Sequence, residues 1–128
     1  MNKPEPVSTE NAPQAIGPYS QAVKAGGFLF CSGQIPLEPA TGEMVEGGIA
    51  EQARRVLENL KAVVEAAGGE LSQVVQVTVY LADLAHFGEM NAVYKEYFGV
   101  SKPARATVQA AALPKGALME ADCIAFLG

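Results

Sequence analysis

The chain has 128 residues, of which 49% are apolar and 18% are charged, a composition typical of one globular domain with a real core. Its net charge of −5 disfavours a surface for nucleic-acid backbone, which needs clustered Lys and Arg. No apolar run approaches the roughly 20 residues of a membrane span. The polar, Pro-rich N-terminus is not a signal peptide, so we expect a cytoplasmic protein. Cys31 and Cys123 lie in apolar segments and are expected to be buried, reduced thiols.

The first third of the chain predicts a loose arm followed by short strands. Residues 1–16 have the composition of a loosely ordered N-terminal arm. Three strand-like segments follow, separated by glycine and proline turns: one through Gln21 and Val23, one over Phe28–Gln34 and a short one over Glu43–Val45.

The middle of the chain predicts two helices on either side of a strand. Apolar residues recur with a helical period from Ile49 until Gly68 ends the pattern. Leu71–Leu81 has the alternation of a strand, and Asp83 is predicted to cap a second helix that ends near Phe98. One face of the strand is predicted to carry Val75, Val77, Val79 and Leu81.

The segment from Pro103 to Ala125 predicts two strands joined by a Pro-Lys-Gly turn. The first of these strands carries Arg105, and the second carries Glu120 among apolar neighbours. An unpaired buried carboxylate is costly, so Glu120 requires an explanation. On neighbouring strands, Arg105 and Glu120 can form a structural ion pair or be two halves of a small acid-binding site. The residues alone leave both interpretations open.

The order of these elements indicates an α+β fold in which one sheet carries two helices on one face. Two helices cover only one face of such a sheet, so the other face would be exposed to solvent in a monomer. Exposed apolar sheet faces usually mark interfaces. The pattern therefore favours an oligomer built on the sheet.

Five further polar or small residues lie at positions where they could contact a ligand: Tyr19, Ser32, Gly33, Asn91 and Thr107. Each has an ordinary explanation when taken singly, such as packing or a backbone-bonded amide. The one histidine, His86, has no nearby Cys or His, so neither a zinc site nor a Ser-His-Asp triad is predicted. No phosphate-binding glycine loop is visible. Any catalysis must rely on Arg, Glu, hydroxyl and backbone groups.

Several longer motifs carry a resemblance to a known family: TENAPQAIGPYSQAV at 9–23, CSGQIP at 31–36, TGE at 41–43, QARRVLENLKAVVEAAG at 52–68, NAVYKEYF at 91–98, PAR at 103–105, and LP at 113–114 followed by Glu120. Together they make the chain resemble the RidA/YjgF/UK114 family of enamine and imine deaminases over nearly all of residues 1–128, read as a single domain. The resemblance implies a chorismate-mutase-like fold, a homotrimer and clefts between its subunits.

The resemblance also implies roles for individual residues. The family's substrate-binding arginine falls on Arg105, and its carboxylate that handles the attacking water falls on Glu120. Its other site residues fall on Tyr19, Ser32 and Asn91, and Thr107 stands where the family often has Cys. Backbone N–H groups near Ser32-Gly33 and Thr107 are expected to hold the remaining substrate oxygens.

The implied reaction is hydrolytic deamination of 2-aminoacrylate, 2-aminocrotonate and their 2-imino acid tautomers to 2-oxo acids and ammonia. It needs no metal and no organic cofactor, because a protonated imine is already electrophilic. Three alternatives stay open. The first is an endoribonuclease or translation inhibitor, which the acidic charge disfavours. The second is a non-catalytic module that binds small 2-oxo or 2-amino acids or acts like a chaperone. The third is a relative of the family that acts on other imines, such as those from amino-acid oxidases.

Overall fold

The computed structural model describes residues 3–128, over which one six-stranded mixed sheet carries two helices. The strands are β1 (Glu5–Val7), β2 (Ala22–Ala25), β3 (Phe28–Gln34), β4 (Val74–Leu81), β5 (Ala104–Gln109) and β6 (Met119–Phe126). The helices are α1 (Ile49–Ala66), between β3 and β4, and α2 (Phe87–Phe98), between β4 and β5. The spatial order is β1-β2-β3-β6-β4-β5, and only the β4–β5 pair is parallel. This confirms the predicted single mixed sheet with two helices.

Helix α1 forms where the sequence predicts it, because its apolar stripe faces the sheet. Val56, Leu57 and Leu60 on this stripe are completely buried. At its start the Glu51 carboxylate accepts a hydrogen bond from the Gly48 N–H at 2.9 Å. Gly68 follows its end with φ +90°, a conformation that glycine adopts without strain.

Helix α2 begins later than predicted, because its first turn is a 3-10 turn over Leu84–His86. The predicted cap is confirmed: the Asp83 carboxylate accepts a hydrogen bond from the Ala85 N–H at 2.9 Å. Met90 and Phe98 of α2 are buried in the core. With α1, this helix covers one face of the sheet.

The core lies between the helices and this covered face, and the opposite face, which we call the outer face, carries no helix. Cys31 and Cys123 are cross-strand partners in the core and are free thiols, as the sequence predicts. The outer face exposes a cluster of aromatic rings: Phe28, Phe30 and Phe126. The Phe28 and Phe126 ring centroids are 5.1 Å apart.

The N-terminal arm is not loose over the described residues. Strand β1 pairs with β2. The Gln21 side chain binds the segment of the chain that comes after β1. The Gln21 amide donates to the carbonyl oxygens of Thr9 at 3.0 Å and Pro13 at 2.7 Å, and it accepts from the Thr9 N–H at 2.7 Å. The prediction of a loosely ordered segment is therefore wrong for residues 5–13. Met1 and Asn2 lie outside the described residues.

Two strand predictions also need correction. Glu43–Val45 is not a strand: its segment makes only an isolated bridge between Leu37 and Met44. The strand predicted from Leu71 begins at Val74, after a 3-10 turn. A register shift between Val74 and Gln76 then leaves Val75 exposed, off the buried face on which it was predicted.

Candidate active site

Arg105 projects from the edge strand β5 toward helix α2. Its Nη1 donates a hydrogen bond to the Asn91 Oδ1 at 2.7 Å. The guanidinium carbon lies 4.6 Å from the Tyr94 ring centroid and 5.4 Å from that of Phe87. Phe87, Asn91 and Tyr94 occupy one face of α2 because they are spaced four and three residues apart. The sequence interpretation missed Tyr94 and Phe87 as partners of Arg105, although this spacing could have indicated them.

The Arg105 guanidinium has no carboxylate partner among residues 3–128. The ion pairs there are Arg54–Glu96 at 2.9 Å and Arg55–Glu38 at 4.0 Å. A guanidinium carries five N–H donors in a planar fork that matches a carboxylate. The structural ion pair with Glu120 is therefore not formed, and Arg105 lines an open cavity of about 430 Å³ with Asn91 and Tyr94.

Glu120 lies on β6 and presents its carboxylate on the outer face. It is seated against Gly33, so closely that a Cβ at position 33 would collide with the carboxylate and lie only 3.0 Å from its Cδ. This contact explains why residue 33 is a glycine, because any side chain at this position would displace the Glu120 carboxylate. The β3–β6 register shifts between Cys31 and Gln34, which places Gly33 in an irregular stretch beside the carboxylate.

The pKa of Glu120 is raised above the ordinary carboxylate value. Burial of the half-buried side chain is the main cause, and the negative charge of Asp122 two residues along the same face adds to it. Asp122 accepts a hydrogen bond from the Tyr80 hydroxyl at 3.0 Å. The sequence interpretation did not assign Asp122 or Tyr80 to the site. The alternation of β6, which places Asp122 on the face of Glu120, was the available signal.

Tyr19 and Ser32 lie close to Gly33 on the same side of the molecule. The Ser32 hydroxyl donates to the Ser20 carbonyl at 2.6 Å, and the Ser32 N–H donates to the Gln21 carbonyl at 2.9 Å. Ser32 thus fixes the segment that presents Tyr19. Its backbone N–H is already bonded within the chain, so this one of the backbone groups near Ser32-Gly33 is not free to hold a substrate oxygen. Tyr19 is 53% exposed and, with Gly33, lines a cavity of about 260 Å³.

Thr107 follows Arg105 by two residues on β5 and shares its face. It pairs with Val79, a core residue. The Thr107 hydroxyl is buried and has no hydrogen-bond partner among the described residues. Thr107 therefore belongs with Arg105 and Asn91 rather than with Tyr19, Ser32 and Gly33.

Arg105 and Glu120 lie on strands that are separated by β4, and their registers with β4 place the two side chains on opposite faces of the sheet. Arg105 is paired with Val77, which is completely buried under the helices. Glu120 is paired with Tyr80, three residues farther along β4 and therefore on the outer face. The prediction that their strands are neighbours is wrong. Within one chain the candidate residues form two half-sites: an arginine half-site (Arg105, Asn91, Thr107) and a carboxylate half-site (Glu120, Gly33, Ser32, Tyr19).

Neither half-site has the composition of a metal centre. Among residues 3–128, no group of three or more His, Cys, Asp or Glu side chains is arranged to hold an ion. Neither α1 nor α2 is long and apolar enough to cross a membrane. The chemistry available at the site is that of a guanidinium fork, a carboxylate of raised pKa, hydroxyls and an amide.

Comparison with known proteins places the chain in a family. The sequence profile described as Endoribonuclease L-PSP matches residues 9–127. The chain belongs to this family, also known as the RidA/YjgF family. It is 59% identical to a RutC family protein of Pyrococcus horikoshii, covering 95% of this chain and 97% of the relative. It is 48% identical to the mouse protein named 2-iminobutanoate/2-iminopropanoate deaminase, covering 95% of this chain and 90% of the relative.

A solved structure from the same family has the same fold. The crystal structure of Escherichia coli TdcF with bound serine superimposes with a TM-score of 0.91 at 42% identity, covering 97% of this chain and 99% of TdcF. The resemblance inferred from the motifs is thereby confirmed at the level of the RidA/YjgF family.

Proposed function

We propose that this protein hydrolyses small 2-imino acids, including the tautomers of 2-aminoacrylate and 2-aminocrotonate, to 2-oxo acids and ammonia. The observation that carries the proposal is the Arg105 guanidinium, which Asn91 and Tyr94 orient and which has no carboxylate partner among residues 3–128. Such a fork fits the carboxylate that all these substrates share. The name of the mouse relative and the serine bound to TdcF support the same substrate class.

The residues divide the reaction between binding and proton transfer. Arg105 holds the substrate carboxylate, and Glu120 removes a proton from water as its oxygen bonds to the imine carbon. Starting from the protonated imine, this addition gives a carbinolamine, and the same carboxyl returns the proton to its nitrogen. The C–N bond then breaks and ammonia leaves, while the hydroxyl gives its proton back to the Glu120 carboxylate and becomes the carbonyl of the 2-oxo acid. Glu120 is restored when it passes this proton to the departing ammonia or to water. Burial raises the pKa of Glu120 above the ordinary carboxyl value, which makes the carboxylate a stronger base for taking the proton from water.

The opposite orientations of Arg105 and Glu120 lead to a proposal about assembly. A single chain cannot offer both groups to one imine carbon, so we infer that the arginine half-site of one subunit faces the carboxylate half-site of another. A chorismate-mutase-like homotrimer closed through the outer face would produce three such sites by cyclic symmetry. The exposed rings of Phe28, Phe30 and Phe126 give that face an apolar centre.

The direct test generates 2-aminoacrylate with a serine or threonine dehydratase in the presence of semicarbazide. An active deaminase competes with semicarbazide for the imine and lowers the rate of semicarbazone formation. Heat-inactivated protein is the matched control. If the native protein leaves semicarbazone formation unchanged while it still binds 2-oxobutanoate in a calorimeter, the site is a binding site and the proposed reaction is wrong.

Endoribonuclease activity is the second candidate, and the name of the family, Endoribonuclease L-PSP, favours it. The acidic net charge opposes it, because RNA binding relies on clustered cations. RNA cleavage at increasing salt, with Arg105→Ala as the control variant, tests this candidate. Cleavage that Arg105→Ala abolishes would favour it over deamination.

A further inference from the structure

The cavity beside Arg105, which we call the arginine cavity, is unusually cationic for an acidic protein. Its lining includes Lys95 and Lys102 as well as Arg105, so three of the nine basic residues meet there. No Asp or Glu lines the cavity among the described residues. The carboxylate partners of this chain's arginines lie elsewhere, as in the Arg54–Glu96 pair. Like charges gathered in one concave site raise the local concentration of anions.

Lys95 is placed in this cavity by helix α2. It follows Asn91 by four residues, so the two side chains lie on the same side of the helix one turn apart. Asn91 contacts the Arg105 guanidinium directly, at 2.7 Å. The Lys95 side chain therefore starts one helical turn from Asn91, which contacts the group that would hold the substrate carboxylate.

Lys102 is placed on the other wall by the turn that leaves α2. Its N–H donates to the Phe98 carbonyl at 2.9 Å, and its φ is +50°. This left-handed conformation usually favours Gly or Asn after a helix, because a Cβ is disfavoured there. A lysine at this position has a strained backbone conformation, and its cationic side chain lies three residues before Arg105 in the sequence. Strained backbone of this kind concentrates at functional sites.

Tyr94 contributes its aromatic ring to the wall of the cavity, under the Arg105 guanidinium. Its hydroxyl is buried and makes no hydrogen bond to the described chain, so it is not offered to a ligand in the cavity. The groups of the cavity that can attract an anion are therefore the three cations.

We propose that the arginine cavity recognises a second anionic group through Lys95 and Lys102, so that this chain prefers 2-imino acids with an acidic side chain. The inference rests on the proposed function, because it assumes that Arg105 binds the 2-carboxylate. The second anion is a carboxylate, since acidic amino acids supply 2-imino acids whose side chains end in that group. The upstream reaction is then the two-electron oxidation of an acidic amino acid to its imine by an amino-acid oxidase, with O2 as the acceptor of the electrons and protons.

Two matched ligands test the preference for a dianion. The dianion 2-oxoglutarate and the monoanion 2-oxopentanoate have the same carbon chain and differ in whether it ends in a carboxylate or a methyl group. We expect calorimetry at low salt to give a Kd roughly tenfold lower for 2-oxoglutarate, the gain expected from two exposed ammonium–carboxylate pairs. The difference should shrink at high salt, because exposed charges are screened.

Variants locate the effect. The Lys95→Met, Lys102→Met double variant retains the side-chain stems and should bring the ratio of the two Kd values to about one, because both ligands then meet only the Arg105 cation. The Lys24→Met, Lys61→Met double variant, with both lysines outside the arginine cavity, is the control matched for net charge. Equal wild-type affinity for the two ligands, or an equal loss of preference in this control, would overturn the inference.

Turnover separates this inference from the proposed function. Imines are generated by an amino-acid oxidase from glutamate and from norvaline, and semicarbazone formation is followed for each. Faster removal of the imine from glutamate supports both proposals. Equal removal of both imines refutes the acidic preference and keeps the deaminase. Tighter binding of 2-oxoglutarate without removal of either imine refutes the deaminase and keeps the dianion site.

Discussion

Arg105 acquires its properties from side chains that are distant in the sequence. Asn91 and Tyr94 fix the guanidinium from one side and leave donors of its fork free. The sequence alone singled out Arg105, because a positive charge beside the start of an apolar strand is conspicuous. The sequence could not reveal that Arg105 contacts an amide and an aromatic ring rather than the Glu120 carboxylate. These contacts depend on how α2 crosses the sheet.

We expect Arg105→Lys to lose most turnover while the fold stays intact. A lysine keeps the charge but cannot reproduce the two parallel hydrogen bonds of the fork. A lost charge-assisted hydrogen bond costs about 1.5–3 kcal/mol, which corresponds to one to two decades in kcat/KM. The semicarbazide assay and the circular dichroism spectrum measure the two effects. Near-wild-type activity would remove Arg105 from its role as carboxylate anchor.

We expect Glu120→Gln to keep affinity for 2-oxobutanoate and to lose about 10²–10⁴ in kcat, because an amide cannot exchange the proton. Its Tm at neutral pH should be no lower than that of the wild type. Since burial raises the pKa of Glu120, the folded chain holds this proton more tightly than the unfolded chain. Ionisation therefore costs stability as pH rises through the raised pKa, and Gln removes that cost.

The same pKa shift fixes the direction of the wild-type pH profile. The acid limb of kcat/KM should lie above pH 4.5, the ordinary value for the carboxyl, and should be absent in Glu120→Gln. A Glu120→Gln variant that melts early and loses ligand affinity together with activity would identify Glu120 as a structural residue.

At the scale of elements, the helices were predictable and the strand order was not. The periodicity of α1 and the Asp83 cap are local signals that survive in the structure. Strand pairing is not local. Consecutive strands are adjacent in most sheets, which favoured a β5–β6 pair. Here α2 carries the chain from β4 to a parallel β5, and β6 pairs on the other side of β4. A bulge, such as the one that exposes Val75, cannot be predicted from the sequence, because the strand remains an uninterrupted run of apolar residues.

The N-terminal arm depends on one buried amide, and we expect Gln21→Leu to release it. Leucine preserves volume but leaves the Thr9 N–H and the Thr9 and Pro13 carbonyls without their bonds. Each unsatisfied group costs about 1–3 kcal/mol if it stays buried, so the Tm should fall and proteases should cut near residues 9–13. Gln14→Leu, at an exposed position, is the control. Unchanged proteolysis of Gln21→Leu would contradict this role.

At the scale of the whole molecule, the outer face is the feature that a single chain does not explain. Phe30 is 46% exposed in the middle of that face. We expect Phe30→Asp to yield a monomer without deaminase activity, because a buried charge would oppose an apolar interface. Light scattering and the semicarbazide assay measure both effects. Val100→Asp, at a position that is 99% exposed, should leave assembly unchanged. A monomeric and fully active Phe30→Asp variant would contradict a shared site.

Complementation between two inactive chains tests the shared site most directly. Arg105→Ala and Glu120→Ala chains are unfolded together in equal amounts and refolded into mixed oligomers. If each site takes Arg105 from one subunit and Glu120 from the next, about a quarter of the sites in a randomly mixed cyclic trimer receive both wild-type groups. We therefore predict that about a quarter of wild-type kcat is recovered, while each variant refolded alone stays inactive. Trimers that mix fully, as mass spectrometry can establish, and remain inactive would contradict a site built from two subunits.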